Sequence, residues 1–359
     1  MNVSLDIKIG QMIMSGFRGL RPEDDPATLE EIRNGNLGSI VLFERDMINN
    51  TDTLNVESPS QVKELTRRLQ QNAKIPLLIS IDQEGGKINR LKEERGFPPS
   101  VSAKLLGEKD DPALTKHYAD LTATTLKKIG INLNLAPNVD LECNPDNPII
   151  AKHERSYSSD PEIVTRHAME MIRAHHAHGV LCTLKHFPGH GSAKHDSHLR
   201  LADVSALWSE DELLPYREII AAGLCDVVMT AHIFNSHLDA EFPATLSANI
   251  ISGILRQQLG YDGVVMSDDL QMKAISSNFP LETTLSQAIL AGIDIIAFAN
   301  NFLYDGAIVS KAVEVIKRLV REKKITEERI DHSYRRIMRL KERINGLREE
   351  ENTEAPTQE

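Results

Sequence analysis

The chain has 359 residues, 41% of them hydrophobic and 26% charged, which is enough apolar material for one large barrel or two ordinary domains. A formal charge of -11 argues against nucleic acid or an anionic membrane as the main partner, because phosphate recognition needs clustered Lys and Arg. No run of about 18 apolar residues marks a membrane span, and Met1 to Gly10 lacks the basic start and apolar centre of a secretory leader, so a cytoplasmic location is expected.

Eight apolar runs read as strands: Met12 to Phe17, Ser39 to Phe43, Leu77 to Ile81, Asn132 to Ala136, Val180 to Leu184, Val227 to Ala231, Val264 to Ser267 and Ile293 to Ala299. Between most of them lie segments of helical period, among them Gln61 to Gln71, Leu114 to Ile129, Pro161 to His178, Asp211 to Ala222, Ile250 to Leu259 and Leu281 to Ala291. Helical patterns from Ile308 to Lys323, and onward from Thr326, finish the series. This alternation predicts an α/β fold, a single-domain (β/α)8 TIM-type barrel over residues 1–347 followed by an acidic disordered tail at 348–359. A Rossmann-type sheet is the alternative, and the first strand is not followed by G-x-G-x-x-G. Leu141 to Ser159 shows no helix or strand pattern, and a loop of that length in a compact barrel points to function. Cys143, Cys182 and Cys225 have no close spacing and read as reduced core thiols.

A barrel of this kind places its chemistry at the C-terminal ends of its strands. There the chain carries Asp82-Gln83-Glu84-Gly85-Gly86, Lys185-His186, His232, Asp268-Asp269 and Asn300-Asn301. Any one of these could simply cap a helix or satisfy a loop; their recurrence on one rim favours a site. Either Asp268 or Asp269 could be a nucleophile, a metal ligand or an N-cap. Asp196 and His198, one residue apart on a glycine-flanked loop, suit proton transfer near neutral pH. His186, His190, His195 and His198 with Asp196 also leave a metal site open, although their spacing matches no specific metal motif.

The segments Ile81-Asp82-Gln83-Glu84-Gly85-Gly86, Lys185-His186-Phe187-Pro188-Gly189-His190-Gly191, Asp196-Ser197-His198 and Ser267-Asp268-Asp269-Leu270, in this order and over nearly the whole chain, resemble glycoside hydrolase family 3, specifically its single-domain bacterial β-N-acetylglucosaminidases. The resemblance implies retaining hydrolysis of terminal β-linked N-acetylglucosamine from cell-wall muropeptides or chitooligosaccharides. It makes Asp268 the nucleophile and His198, oriented by Asp196, the acid and base. It gives sugar-binding roles to Asp82, Arg90, Arg155, Lys185 and His186. It implies no cofactor and no metal, a small carbohydrate as partner, and a monomer. Where relatives usually carry Gly-Asp-Thr after the second loop histidine, this chain has Gly191-Ser192-Ala193, which weakens inference about the aglycone.

Other readings stay open. They are a β-glucosidase of the same family, attack by the substrate's own acetamido group, a non-catalytic sugar-binding barrel, a metal hydrolase, and phosphate replacing water as acceptor.

Overall fold

The computed structural model describes residues 3–197 and 200–354, with side chains as far as residue 344. Eight parallel strands carry the fold: β1 (Ile13–Gly16), β2 (Ser39–Leu42), β3 (Leu78–Ile81), β4 (Leu133–Asn134), β5 (Leu181–Phe187), β6 (Val227–Thr230), β7 (Val264–Ser267) and β8 (Ile296–Phe298). Their spatial order is β7-β6-β5-β4-β3-β2-β1-β8. The circle closes where Met266 bridges Ile295 and the Ser267 N–H donates to the Ile295 carbonyl at 2.9 Å. Register is regular, with Ile13 opposite Ile296, Met14 opposite Ser39 and Ser267 opposite Thr230.

All residues of these strands are buried. Both faces of a parallel barrel are covered, by helices outside and side chains inside, so its strands read as mostly apolar runs rather than alternating ones. Alternation splits them. Ile13, Ile40, Val228, Val265 and Ile296 and their neighbours Met14, Val41, Met229, Met266 and Ala297 all belong to the main apolar core, and the second of each pair also lines a cavity at the barrel mouth.

The expected helices form as Pro59–Asn72, Pro112–Lys128, Pro161–Ala177, Leu281–Ala291 and Ile308–Arg321. Four of the chain's helices begin with proline behind a capping Ser or Asp (Asp25, Ser58, Asp111 and Asp160), whose side-chain oxygen accepts a first-turn N–H. The segment expected at Asp211 to Ala222 divides into a 3-10 turn, Glu210–Leu213, and an α-helix, Leu214–Ala221, because Pro215 suits only a helix start. The expected Ile250 to Leu259 helix forms as a wider π-helix over Asn249–Gln258. The last helix, Glu327–Glu354, continues past residue 347, where the tail was expected to begin.

Two expectations need correction. β5 runs three residues beyond Leu184, so Lys185 and His186 sit in a strand rather than on a loop. A lysine normally ends a buried strand; here two carboxylates pair with its ammonium and permit burial. Cysteine burial also differs: Cys182 is buried and Cys225 half-buried, but Cys143 is exposed on the long loop. Among the described residues no helix is long and apolar enough to cross a membrane.

Candidate active site

The cavity at the C-terminal ends of the strands holds about 240 Å³. Drug-sized sites span roughly 300–1,000 Å³, so this one suits a single sugar ring rather than a chain. Asp82, Arg90, Arg155, Lys185, His186, Asp196 and Asp268 all line it. His198 lies outside the described residues.

β3 delivers Asp82 at its end, and the following Gln83–Gly85 and Ile88–Asn89 hairpin carries Arg90 back over the cavity. The turn depends on Gly85 at φ +101°, where a Cβ would stand 2.2 Å from the Val101 carbonyl oxygen. Gln83 fixes the hairpin, donating to Asn89 Oδ1 at 2.8 Å and accepting the Arg90 and Leu91 N–H groups.

The charges form one network. Lys185, 2% exposed, donates to Asp82 Oδ1 at 2.7 Å and lies 2.7 Å from Glu84 Oε1. Arg155 grips Glu84 with both a 2.9 Å Nε bond and a 2.7 Å Nη2 bond, so it is a buried clamp, not the surface salt bridge that its loop position would allow. Arg90 spans Glu44 at 3.3 Å and Asp82 at 3.5 Å. Burial alone would raise the Asp82 and Glu84 pKa values, but Lys185 with Arg90, and Arg155 with Lys185, outweigh it; Asp82 is held below its usual range and Glu84 at about 2. The three cations are thus each opposed by carboxylates, which suits a neutral polyhydroxylated ligand better than an anion.

His186 is oriented from behind. Asp140, which burial would raise but His186 draws down to about 2, accepts the His186 Nδ1 hydrogen bond at 2.7 Å and its backbone N–H at 3.1 Å. An ionised carboxylate only accepts, so the proton sits on Nδ1, and Nε2 takes the Arg155 Nη2 hydrogen at 3.3 Å.

The adjacent acids at the end of β7 divide their work. Asp269 is tied down: its Oδ1 accepts the Gln271 N–H at 3.0 Å and the Ala299 N–H at 2.9 Å, and its carbonyl accepts from His232 Nε2 at 2.9 Å. Asp268 stands half-buried on the cavity, its Oδ1 accepting the Asp269 N–H at 2.8 Å. His232, Asn300 and Asn301 serve the frame. His232 also pairs with Thr245 at 2.8 Å, Asn300 exchanges hydrogen bonds with Gln271, and Asn301 ties the β8 end to Met47 and Arg45.

The long loop, 141–159, has neither helix nor strand and puts Pro148, Ile149, His153 and Arg155 on the cavity. No group of three or more His, Cys, Asp or Glu among the described residues is arranged to hold a metal ion. His186 and His190 face the cavity, whereas His195 is exposed and meets Arg200 at 2.6 Å.

Glu84, Asp140 and Glu44 were not singled out from the sequence. Glu84 stood in plain view, two residues beyond Asp82 in the same motif. Asp140 and Glu44 follow β4 and β2, whose ends carried no distinctive pattern.

Fold and site together define a sugar-sized, charge-balanced cavity at the mouth of a (β/α)8 barrel, the architecture of a glycoside hydrolase. The chain belongs to glycosyl hydrolase family 3: the model of that family's N-terminal domain matches residues 4–340. A Beta-hexosaminidase A from Pseudoalteromonas piscicida is 32% identical over 94% of this chain and 60% of its own length. A Beta-hexosaminidase from Tolumonas auensis is 35% identical over 78% of this chain and 80% of its own. Among solved structures, a family 3 β-N-acetylglucosaminidase from a Paenibacillus species superposes with a TM-score of 0.86 at 38% identity, covering 96% of this chain and 63% of that one. A β-N-acetylhexosaminidase from Beutenbergia cavernae gives 0.84 at 28% identity, covering 94% and 98%. The chain therefore spans less than two thirds of some relatives and nearly all of others.

Proposed function

We propose that this chain is a retaining exo-glycosidase that removes terminal β-linked N-acetylglucosamine. The observation that carries the proposal is the convergence of Asp268 with Asp82, Arg90, Arg155, Lys185 and His186 on one cavity of monosaccharide size. The names of the relatives support the sugar. Asp82 accepts two hydroxyl hydrogens, and the cationic groups donate to ring hydroxyls or the acetamido oxygen.

In the first step an Asp268 oxygen bonds to the anomeric carbon as the glycosidic C–O bond breaks, and His198 gives its proton to the leaving oxygen. In the second, water attacks that carbon, His198 takes the water's proton, and the aspartate ester is cleaved. Asp196 orients the imidazole. A histidine in this role becomes neutral on giving up its proton, so it places no second anion beside Asp268. A cell-wall muropeptide or a chitooligosaccharide fits as the natural substrate.

The test compares release of one aryl leaving group from β-N-acetylglucosaminide and β-glucoside, with and without chelator. The expected outcome is a strong preference for the acetamido sugar that chelator leaves unchanged. Preference for glucoside would keep the nucleophile and overturn the sugar. A 2-fluoro sugar lacking the acetamide should label Asp268; an unlabelled Asp268 in an active enzyme would point instead to attack by the substrate's own acetamido group.

A further inference from the structure

The loop bearing Asp196 leaves a backbone that is fastened from below. Asp140 Oδ1 accepts the His190 N–H at 2.8 Å, and Glu212 Oε2 accepts the Gly191 N–H at 3.0 Å. Asn147 Nδ2 donates to the carbonyls of His190 and Gly191 at 2.8 and 3.0 Å, and Asn144 Nδ2 to that of Ala193 at 3.0 Å. A Cβ on Gly191 would stand 1.7 Å from the Leu141 carbonyl oxygen, so the chain is also packed tightly there.

Beyond Ala193 the character changes. Lys194 and His195 are exposed, Asp196 is half-buried, and Arg200 is exposed again. Ser197 alone among the described residues of this stretch is buried, at 3%, and its Oγ lies 3.1 Å from Nε2 of His190, itself 3% exposed.

We propose that His190 and Ser197 form a latch that holds Asp196 at the cavity, making both positioning residues for the proton-transfer steps. The inference rests on the acid and base roles given above to Asp196 and His198. Ser197 follows Asp196 directly, so pinning it confines the Asp196 Cα to about 3.8 Å from a fixed point. His190 makes a firm post, because its own backbone is held at both N–H and carbonyl. Burial, with His186 adding, pushes its pKa down to about 4, so the ring stays neutral in ordinary buffers. A serine hydroxyl can give or take a hydrogen bond, so the contact does not depend on which ring nitrogen of His190 carries the proton.

A hydrogen bond that aims a catalytic segment should matter in proportion to how much proton transfer the substrate needs. The experiment measures kcat/KM, which reports the first covalent step, for N-acetylglucosaminides with a poor alkyl leaving group and with a dinitrophenolate that departs unprotonated. Ser197→Ala should lose roughly three- to ten-fold on the alkyl substrate, the worth of one hydrogen bond, and little on the dinitrophenyl substrate. Ser197→Ala combined with His190→Ala should lose no more than His190→Ala alone, because both remove the same contact. His190→Gln, which keeps a donor near the Nε2 position, should recover most of the loss. Equal losses on both leaving groups, additive losses in the double variant, or unchanged rates in Ser197→Ala would each overturn the latch. A wild-type enzyme silent on both substrates would overturn the functional reading beneath it.

Discussion

At the scale of single residues, the site is a set of charges that tolerate burial only together. Glu84 shows this best, because it faces Lys185 and Arg155 at once. Glu84→Gln keeps the shape and removes the anion, leaving two buried cations short of a partner. The expected cost is about 3–5 kcal/mol, the usual penalty for breaking a buried ion pair, read as a lower urea midpoint. Asp268→Asn should behave oppositely. The side chain is half-buried on the cavity, so stability should change little while turnover falls by orders of magnitude and binding of N-acetylglucosamine stays measurable by calorimetry.

Elements explain how those residues reach one another. β5 supplies Lys185 and His186, the long loop Arg155, the β3 hairpin Arg90, and the 3-10 turn Glu210–Leu213 contributes Glu212 beneath the Gly189–Ala193 turn. Burial, with Asp140 nearby, pushes the Glu212 carboxyl up to about 8. A raised carboxyl pKa means that the folded state holds the proton more tightly than the unfolded chain does. Its contribution to stability is complete below about pH 4.5 and is lost as pH rises through 8. Glu212→Gln retains an oxygen for the Gly191 N–H and cannot ionise. Urea unfolding at pH 5 and pH 9 should therefore show the variant gaining on the wild type at the higher pH; a constant difference would mean that Glu212 is ionised at both.

Much of this was legible at the element scale. Every strand appeared as an apolar run because both faces are buried, and the rim motifs followed those runs directly. What stayed hidden was pairing. Nothing along the chain says that Lys185 will meet Asp82 across 103 positions, so the apolar pattern stops at Leu184 while β5 runs on to Phe187. Asp140 and Glu44 carry no pattern for the same reason: each takes its role from a distant partner, His186 on β5 and Arg90 just past the β3 hairpin. Residue chemistry alone leaves Asp268 and Asp269 equivalent, and only the family resemblance prefers the first; in the fold, the Ala299 and Gln271 N–H groups claim the second carboxylate.

For the whole molecule, the two ends of the described chain meet beneath the barrel. Lys341, in the last helix, donates to Gln11 Oε1 at 2.6 Å and to the Gly38 carbonyl at 2.9 Å, and burial pushes its pKa down to about 7. A depressed lysine is neutral in the fold while the unfolded chain is still charged, so its contribution is present above pH 10.5 and is lost as pH falls through 7. Relative to Lys341→Met, the wild type should gain stability as pH is raised from 7 to 9, measured by urea midpoints. At the other end of the barrel, the cavity floor includes Met14, Met229 and Met266. Thioethers are polarisable and adaptable, and they are also oxidisable. Conversion to sulfoxide would place polar, chiral groups under the sugar, so oxidation at these positions would spoil the pocket without touching any of its charged residues.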